Sequence, residues 1–251
     1  MGNMLPLRFV ATSYNIWETA RWPERENALR AFLQITQPDI LCIQEIRPVT
    51  REVLDAELPQ HERIDDPFEG WLREGNIYWS KAIFEKVTYG AEDIGMLEPL
   101  RRLFWVRLQF KGRPQTLLVT TAHYTYQGNK REVEEGFNPR LAQADKTMAA
   151  LDKLAEKNEP VLFMGDLNDS VNAIRRLRAA GLQDSFLAMG MAPKATHPAL
   201  PTARGTTPRV LDWQFHRGPL RVMNTNVMDF YVGDFAPSDH KPVVTTYALI
   251  E

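Results

Sequence analysis

Cysteine is nearly absent from this chain. The one cysteine among 251 residues, Cys42, lies in the apolar run Asp39–Ile43. One thiol excludes an intrachain disulfide framework and a metal site built from several cysteines. Because a free cysteine usually packs as a small hydrophobic side chain, we expect Cys42 in the core.

Long hydrophobic runs and a strong net charge are also missing. No apolar run reaches the roughly 18 residues typical of a membrane span, and segment 1–6 does not resemble the start of a signal peptide. We therefore expect no membrane span and, by default, a cytoplasmic protein. The formal net charge of −2 gives no global cationic field, so any contact with nucleic acid needs a local basic strip. This disfavours a tight nonspecific DNA-binding protein but not a nuclease, because a bound metal can neutralise the scissile phosphate.

Hydrophobic residues make up 44% of the chain, which is enough for a sizeable core, and the length suits one domain over 1–251. An opening strand, helix and strand disfavour an all-β sandwich, and short apolar segments within 76–110 predict antiparallel strands. The other predicted strands cover 7–16, 39–46, 116–126, 161–168, 210–215, 221–230 and 240–249, the helices cover 24–35, 50–58, 139–154 and 171–180, and the main loops cover 128–139 and 191–208.

Polar residues interrupt or end the apolar runs in five places. They are Asn15, Glu45, His123, the turn Gly165–Asn168 and the tripeptide Ser238–His240. Strand interiors rarely carry such residues, so we expect them at strand ends that converge on one site. Carboxylate, amide and imidazole groups without cysteine suit a hard divalent cation and a phosphate ester.

The turn after the 161–168 strand allows two interpretations. Asp166 and Asn168 are two residues apart, so on a continuing strand both would face the same metal or phosphate. Alternatively, they form an Asx turn in which each side chain bonds its own backbone. The local sequence is compatible with both.

The tripeptide Ser238–His240 places a carboxylate beside an imidazole. The pKa of an unperturbed histidine lies nearest neutral pH, so His240 would serve as a proton donor or a cation for the transition state. Such a histidine needs an orienting carboxylate, and Asp212 is the candidate because an unpaired carboxylate in its apolar run would be costly. A surface turn is the alternative for the tripeptide.

Two further site candidates also have a structural alternative. Glu45 suits a magnesium site that keeps some of its waters, or it is a solvated strand end. His123 suits a phosphate contact, or it is a core histidine bonded to a backbone carbonyl.

Aromatic and basic residues near these positions are candidate substrate contacts. Trp17, Tyr124 and Tyr126 lie directly beyond proposed site residues and could stack on a base, although packing is the alternative. Several basic side chains could border the site and hold a polyanion, against the opposing charge of the acidic stretch 132–135: Arg101, Arg102, Lys130, Arg131 and Arg140.

Six segments in this order resemble the endonuclease/exonuclease/phosphatase (DNase I-like) superfamily: SYNIW, IQEI, TAHY, GDLND, VLDWQF and PSDHKPV. The resemblance extends from about Phe9 to Val244. It implies an α/β (α+β) four-layered sandwich, in which two mixed, largely antiparallel sheets pack face to face with helices outside. It also implies a metal-dependent phosphoester hydrolase, with Mg²⁺ or Mn²⁺ as the usual cation.

The resemblance assigns roles to the polar residues. It implies that Glu45 is the principal metal carboxylate, with Asn15 as its neighbour at the metal or phosphate and Asp239 completing the metal environment. Asp166 resembles the residue that orients or deprotonates the attacking water, and Asn168 binds the phosphate. His240, held by Asp212, resembles the histidine that stabilises the transition state, and His123 resembles the second family histidine at a phosphate oxygen or the leaving group.

The sequence departs from the family pattern at two positions. Trp17 stands two residues after Asn15, where some nucleases have an acid, which weakens the case for a second metal there. The segment containing Asp212 reads DWQF rather than the usual aspartate, aromatic, isoleucine, phenylalanine, but it keeps the aspartate.

Substrate identity depends on the loops 69–76, 128–139 and 191–207, which contain no readable signature. A phosphodiesterase acting on nucleic acid is the leading hypothesis, and a phosphodiesterase or phosphatase for a lipid headgroup or small metabolite is the main alternative. A binding protein that lost catalysis is a further alternative, although it would have no reason to bury unpaired charges. We expect a monomer without an obligate protein partner.

Overall fold

Two six-stranded sheets form the framework of the computed structural model, which describes residues 7–204 and 206–250. The strands of the first sheet are β1 (Arg8–Asn15), β2 (Ile40–Gln44), β3 (His61–Arg63), β4 (Gly75–Ser80), β11 (Leu220–Val227) and β12 (Val243–Leu249), in the order β11-β12-β1-β2-β4-β3. Those of the second are β5 (Phe84–Glu92), β6 (Leu103–Phe110), β7 (Thr116–His123), β8 (Val161–Asp166), β9 (Gln183–Asp184) and β10 (Asp212–Arg217), in the order β5-β6-β7-β8-β10-β9.

Helices connect the strands on the outer faces. They are α1 (Glu26–Thr36), α2 (Pro48–Glu57), α3 (Gly70–Arg73), α4 (Lys130–Glu135), α5 (Pro139–Leu154), α6 (Asn172–Ala179) and α7 (Ser185–Ala188). Among the described residues, no helix combines the length and apolar character that crossing a membrane requires.

Each sheet is built around one parallel pair of strands. In the first sheet β1 pairs with β2 in parallel, and antiparallel neighbours β12 and β4 flank them. In the second sheet β7 and β8 are parallel, and β6 and β10 flank them in the same way. The two sheets therefore share a two-fold arrangement that the sequence does not reveal, and each presents the carboxyl ends of its parallel strands at one edge.

Three groups of apolar side chains fill the layers. The first lies between the sheets and includes Phe9, Trp79, Phe110 and the predicted core residue Cys42. The second packs the second sheet against α5, α6 and α7, and the third packs the first sheet against α1 and α2. The four-layered sandwich is thereby confirmed. One domain over 1–251 stays a prediction, although residues from both sheets share the first group.

Short elements account for most differences from the predicted secondary structure. The expected loop 128–139 contains α4, which Asn129 caps by accepting the N–H of Arg131, and in which Arg131 and Glu135 form an i,i+4 pair. The elements β3, α3, β9 and α7 are too short to show a hydrophobic period. Within 76–110, β5 and β6 are antiparallel as predicted, but β4 pairs with β2 and β3 in the other sheet.

Candidate active site

The candidate site lies at the edge where both parallel pairs end. Asn15 is the last residue of β1, and Glu45 follows β2 directly. His123 and Asp166 end β7 and β8 and are opposite each other in register. The four predicted residues therefore come from the two equivalent strand pairs of the two sheets.

A glycine allows the β7 and β8 ends to approach closely. A Cβ at Gly165 would lie 2.0 Å from the carbonyl oxygen of Ala122, so no larger residue fits there. The next residue on each strand carries a site side chain, and His123 Nε2 lies 3.4 Å from Asp166 Oδ2.

Asn15 joins the two sheets at this edge. Its Nδ2 donates to Glu45 Oε1 and to Asp166 Oδ2, at 3.0 Å each. Its Oδ1 accepts the backbone N–H of Trp17 at 3.0 Å, which fixes the amide. Asn15 thus holds the two carboxylates close together.

Asp166 forms the Asx turn that the sequence allowed and also directs one carboxylate oxygen toward the site. Its Oδ1 accepts the N–H of Asn168 at 2.9 Å, as in an Asx turn, while its Oδ2 faces the site. The Asn168 side chain donates to the carbonyl of Tyr124 at 3.0 Å.

His240 is oriented by Asp212, the partner that the sequence predicted. Nδ1 of the imidazole lies 2.8 Å from Asp212 Oδ2, and Nε2 lies 3.7 Å from Asp166 Oδ2. Asp212 begins β10 opposite Asp166, and Thr196 Oγ1 accepts its N–H at 3.1 Å.

The two histidines of this edge have opposite electrostatic surroundings. Burial alone would lower the pKa of His240, but the charges of Asp212 and Asp166 outweigh it and raise that pKa well above its usual value. Burial lowers the pKa of His123 well below its usual value, and the charges of Arg101, His240 and Arg47 add to this effect. At neutral pH His240 is therefore a cation and His123 is neutral.

Two carboxyl groups at this edge hold their protons more tightly than usual. Burial raises the pKa of Glu45 to about 7, although the bond from Asn15 opposes this. Burial likewise raises the pKa of Asp166 to about 6, against the charge of His240. Hard divalent cations favour such carboxylate oxygens, so the donor set fits a metal of that class.

The sequence prediction missed His197, which joins the predicted Asp239. His197 Nε2 lies 3.7 Å from Asp239 Oδ2, and its ring centre is 5.0 Å from that of His240. Two groups of three described residues have potential ligand atoms within 4.8 Å of one another: His197 with Asp239 and His240, and Asp166 with Asp212 and His240. Glu45 belongs to neither. His197 lies in the expected loop 191–208, where no hydrophobic period marks it.

Two of the predicted substrate contacts have other partners. Tyr124 is fully buried and its hydroxyl lies 2.6 Å from Thr147 Oγ1, so it offers no stacking surface. The largely buried guanidinium of Arg140 donates to the Thr125 carbonyl and forms an ion pair with Glu132. Both residues support the fold instead, so these two predictions are wrong.

Trp17 and Tyr126 remain candidate contacts. Tyr126 is 46% exposed, and Trp17 is half-buried against the guanidinium of Arg25, 5.1 Å from its ring centre. Of the basic residues, Arg101 lies near the site, where it donates to Glu74 and to the Tyr124 carbonyl at 3.1 Å each. Lys130 and Arg131 form ion pairs with Glu134 and Glu135, which also lie on α4.

Comparisons with known proteins agree with this architecture. A family model described as "Endonuclease/Exonuclease/phosphatase family" matches residues 12–240. Danio rerio TDP2, solved with a single strand DNA product, is 18% identical with a TM-score of 0.78, and the match covers 96% of this chain and 98% of that one. A mannosyl-6-phosphatase from Bacteroides thetaiotaomicron is 20% identical with a TM-score of 0.77, covering 94% and 98%. A Bacteroides vulgatus protein of the same family description is 15% identical with a TM-score of 0.80, covering 97% and 99%. Among curated proteins no match was found.

Proposed function

Because the chain belongs to the endonuclease/exonuclease/phosphatase family, we propose that it hydrolyses phosphodiesters at the edge shared by Asn15, Glu45, Asp166 and His240. The family resemblance predicted from the motifs is confirmed. The chain is accordingly a metal-dependent phosphoester hydrolase, and the roles of individual residues, the cation and the substrate are our proposals.

The proposed cation is Mg²⁺ or Mn²⁺, held chiefly by Glu45 with Asp239 at its border. A bound cation would neutralise charge on the phosphate and on the departing oxygen. Asn15 would keep Glu45 and Asp166 in place, since its Oδ1 already accepts the Trp17 N–H.

Asp166 is the proposed base for the attacking water. Its pKa of about 6 is close to the pH at which a base both stays deprotonated and accepts a proton effectively. The bond to the Asn168 N–H holds one oxygen, so the other is aimed at the site. Water lying against Oδ2 would attack phosphorus in line with the leaving oxygen.

His240 is the proposed cation for the charge that grows on the phosphate. Asp212 fixes the ring through Nδ1, so that Nε2 points at the site. A positive group that is already oriented needs no reorganisation during the reaction. Neutral His123 would donate to a phosphate oxygen or to the leaving group, and Asn168 would bind the phosphate.

The observation that carries this proposal is the convergence on one atom. Asp166 Oδ2 lies 3.0 Å from Asn15 Nδ2, 3.4 Å from His123 Nε2 and 3.7 Å from His240 Nε2. Three strand ends, those of β1, β7 and β8, and the loop before β12 meet there and bring both sheets to one point. A residue with a purely structural role would not require this convergence.

Nucleic acid is the proposed substrate class. Tyr126 is exposed and Trp17 half-buried near the site, and aromatic rings stack on bases. The structural neighbour TDP2 was solved with single-strand DNA. A small phosphoester is the second candidate, because the net charge is −2, Arg140 is occupied by Glu132, and another neighbour is a mannosyl-6-phosphatase.

Turnover of simple esters tests the reaction class first. Bis-p-nitrophenyl phosphate and p-nitrophenyl phosphate should be assayed with Mg²⁺ or Mn²⁺, with and without EDTA. We expect metal-dependent turnover with preference for the diester. A panel of single-stranded DNA, 5′-tyrosyl DNA, abasic DNA, RNA, sphingomyelin, inositol phosphates and sugar phosphates then identifies the substrate. Absence of metal-dependent turnover on every ester would overturn the proposal.

A further inference from the structure

Arg25 is a fully buried cation that takes no direct part in the proposed hydrolysis at the strand ends. It directly precedes α1, and its side chain is 0% exposed. Among the described residues no carboxylate lies within ion-pair distance of it. Burying a charge is costly unless it is bonded, so its contacts need an explanation.

Backbone carbonyls take up every N–H of this guanidinium. Arginine has five N–H donors. Nε donates to Ala20 at 2.6 Å, Nη1 to Ile16 at 3.0 Å and to Pro237, and Nη2 to Trp17 at 3.0 Å and to Glu18 at 3.3 Å. Five donors thus meet five acceptors.

The five carbonyls belong to two segments that carry site residues. The first segment, 16–20, directly follows Asn15 at the end of β1. The second begins at Pro237 and continues through Ser238 and Asp239 to His240. Arg25 therefore connects two parts of the site that are more than 200 residues apart in the chain.

The first segment needs such support because its backbone is strained. Trp17 and Glu18 have φ values of 58° and 45°, a region that side-chain-bearing residues seldom adopt. Arg25 binds the carbonyls of both and lies over the Trp17 ring. The Trp17 N–H in turn donates to Asn15 Oδ1, so the conformation that Arg25 holds also orients the Asn15 amide.

The second segment also binds the end of β1 directly, next to the first segment. Ser238 Oγ donates to the Asn15 carbonyl at 2.7 Å and accepts the N–H of His240 at 3.1 Å. The bond from Arg25 to Pro237 fixes the residue just before this serine. Displacement of Pro237 would therefore shift His240 relative to Asn15.

We propose that Arg25 is a positioning residue for the hydrolysis. By binding five carbonyls of the segments 16–20 and 237–240, it fixes the positions of Asn15 and His240 relative to each other. This inference rests on the proposed function. It requires the planar five-donor guanidinium and not merely a positive charge, since lysine has three donors on a flexible stem.

The test compares Arg25 with Arg107, a largely buried arginine on β6 that binds Glu159 and the Leu154 carbonyl. Met and Lys variants at both positions should be assayed on bis-p-nitrophenyl phosphate with saturating Mn²⁺, well below each measured Tm. Misplacing catalytic groups by about 1 Å costs on the order of 100-fold. We expect kcat to fall about 100-fold in Arg25→Met and at least about 10-fold in Arg25→Lys, with KM changed less than about 3-fold. Both Arg107 variants should lose stability and keep kcat.

Chemical rescue keeps the proposal testable if Arg25→Met folds poorly. Ethylguanidinium should restore part of the kcat of Arg25→Ala, and ethylammonium at the same concentration should not. Equal kcat losses in the Arg25 and Arg107 variants, or a fully active Arg25→Lys, would overturn the positioning role. An inactive wild-type protein would instead overturn the proposed function.

Discussion

Strands β7 and β8 begin and end in two different electrostatic regions. Where they begin, Glu159 accepts from Arg107 at 2.8 and 3.0 Å and from Thr116 at 2.7 Å. Where they end, six to eight residues later, Asp166 and His123 face each other across 3.4 Å. In the starting region the cation Arg107 bonds directly to Glu159, whereas in the ending region the cation His240 bonds directly to Asp212 and lies 3.7 Å from Asp166.

The pKa values of Glu159 and Asp166 shift in opposite directions in these two regions. Burial by itself would raise the pKa of Glu159, but the bonds from Arg107, the Glu156 backbone and Thr116 outweigh it and lower that pKa. For Asp166 burial prevails and the pKa rises to about 6. A carboxylate that only stabilises the fold is bonded to a cation, and a buried carboxyl group with a raised pKa at a strand end points to function.

The largest expected effect is a difference in kcat between variants of Asp166 and variants of Glu159. Asp166→Asn removes the proposed base and should lower kcat by about 100- to 10,000-fold, while the fold stays intact. Glu159→Gln should leave kcat unchanged and lower Tm. Steady-state kinetics and thermal unfolding of both proteins check this. A fully active Asp166→Asn protein would remove Asp166 from the base role.

The next effect compares two buried histidines, His240 in the loop before β12 and His216 on β10. His240→Gln removes the proposed transition-state cation and should lower kcat about 100- to 1,000-fold. His216 lies on β10 opposite Leu162, toward the starting region, and burial lowers its pKa so that it is neutral. His216→Gln should therefore change kcat less than about 3-fold. Equal kcat losses in the two proteins would mean that position along the strands does not decide function.

A smaller effect concerns stability in the starting region. Arg107→Ala leaves Glu159, only 7% exposed, without its cation, which should lower the free energy of unfolding by about 2–4 kcal/mol. Urea unfolding at neutral pH measures this loss. The double variant Arg107→Ala/Glu159→Gln should recover part of it, and no recovery would argue against the ion pair as the cause.

The smallest effect is the pH dependence of stability, which should differ in sign between the regions. The folded pKa of Glu159 is lowered, so its contribution is present above the unfolded pKa and is lost as pH falls through the folded value. Asp166 and Glu45 have raised pKa values of about 6 and about 7, so without metal their ionisation destabilises the fold as pH rises from about 4 to about 7. Urea unfolding with EDTA across this range should show a decline that Glu45→Gln/Asp166→Asn flattens. If the double variant loses stability with rising pH as steeply as the wild type, the raised pKa values of Glu45 and Asp166 are not the cause of the decline.

Sequence reasoning was most effective where a polar residue interrupts an apolar run. Asn15, Glu45, Asp166 and the Asp212–His240 pair could be located because a buried strand makes an unpaired polar group costly. The assignment of β4 to the first sheet and the two-fold arrangement could not be predicted, since they depend on pairings between distant strands.

Errors arose where the partner of a side chain decides its role. Tyr124 and Arg140 follow the expected pattern of substrate contacts, but Thr147 and Glu132 bind them in the interior. His197 lies in a proline-rich loop that has no hydrophobic period. Arg25 has the sequence position of an ordinary residue at the start of a helix. Only the three-dimensional contacts reveal the partners of these four side chains.

Calorimetric and thermal titration with Mn²⁺ and Mg²⁺ tests the central claim most directly, namely that the carboxylates at the strand ends form a cation site. At a metal concentration of 100 times Kd the wild-type Tm should rise by about 5–10 °C. Glu45→Gln should abolish most of this shift, and Glu159→Gln should keep it. No metal-dependent shift in the wild type, or the same shift in Glu45→Gln, would contradict the claim.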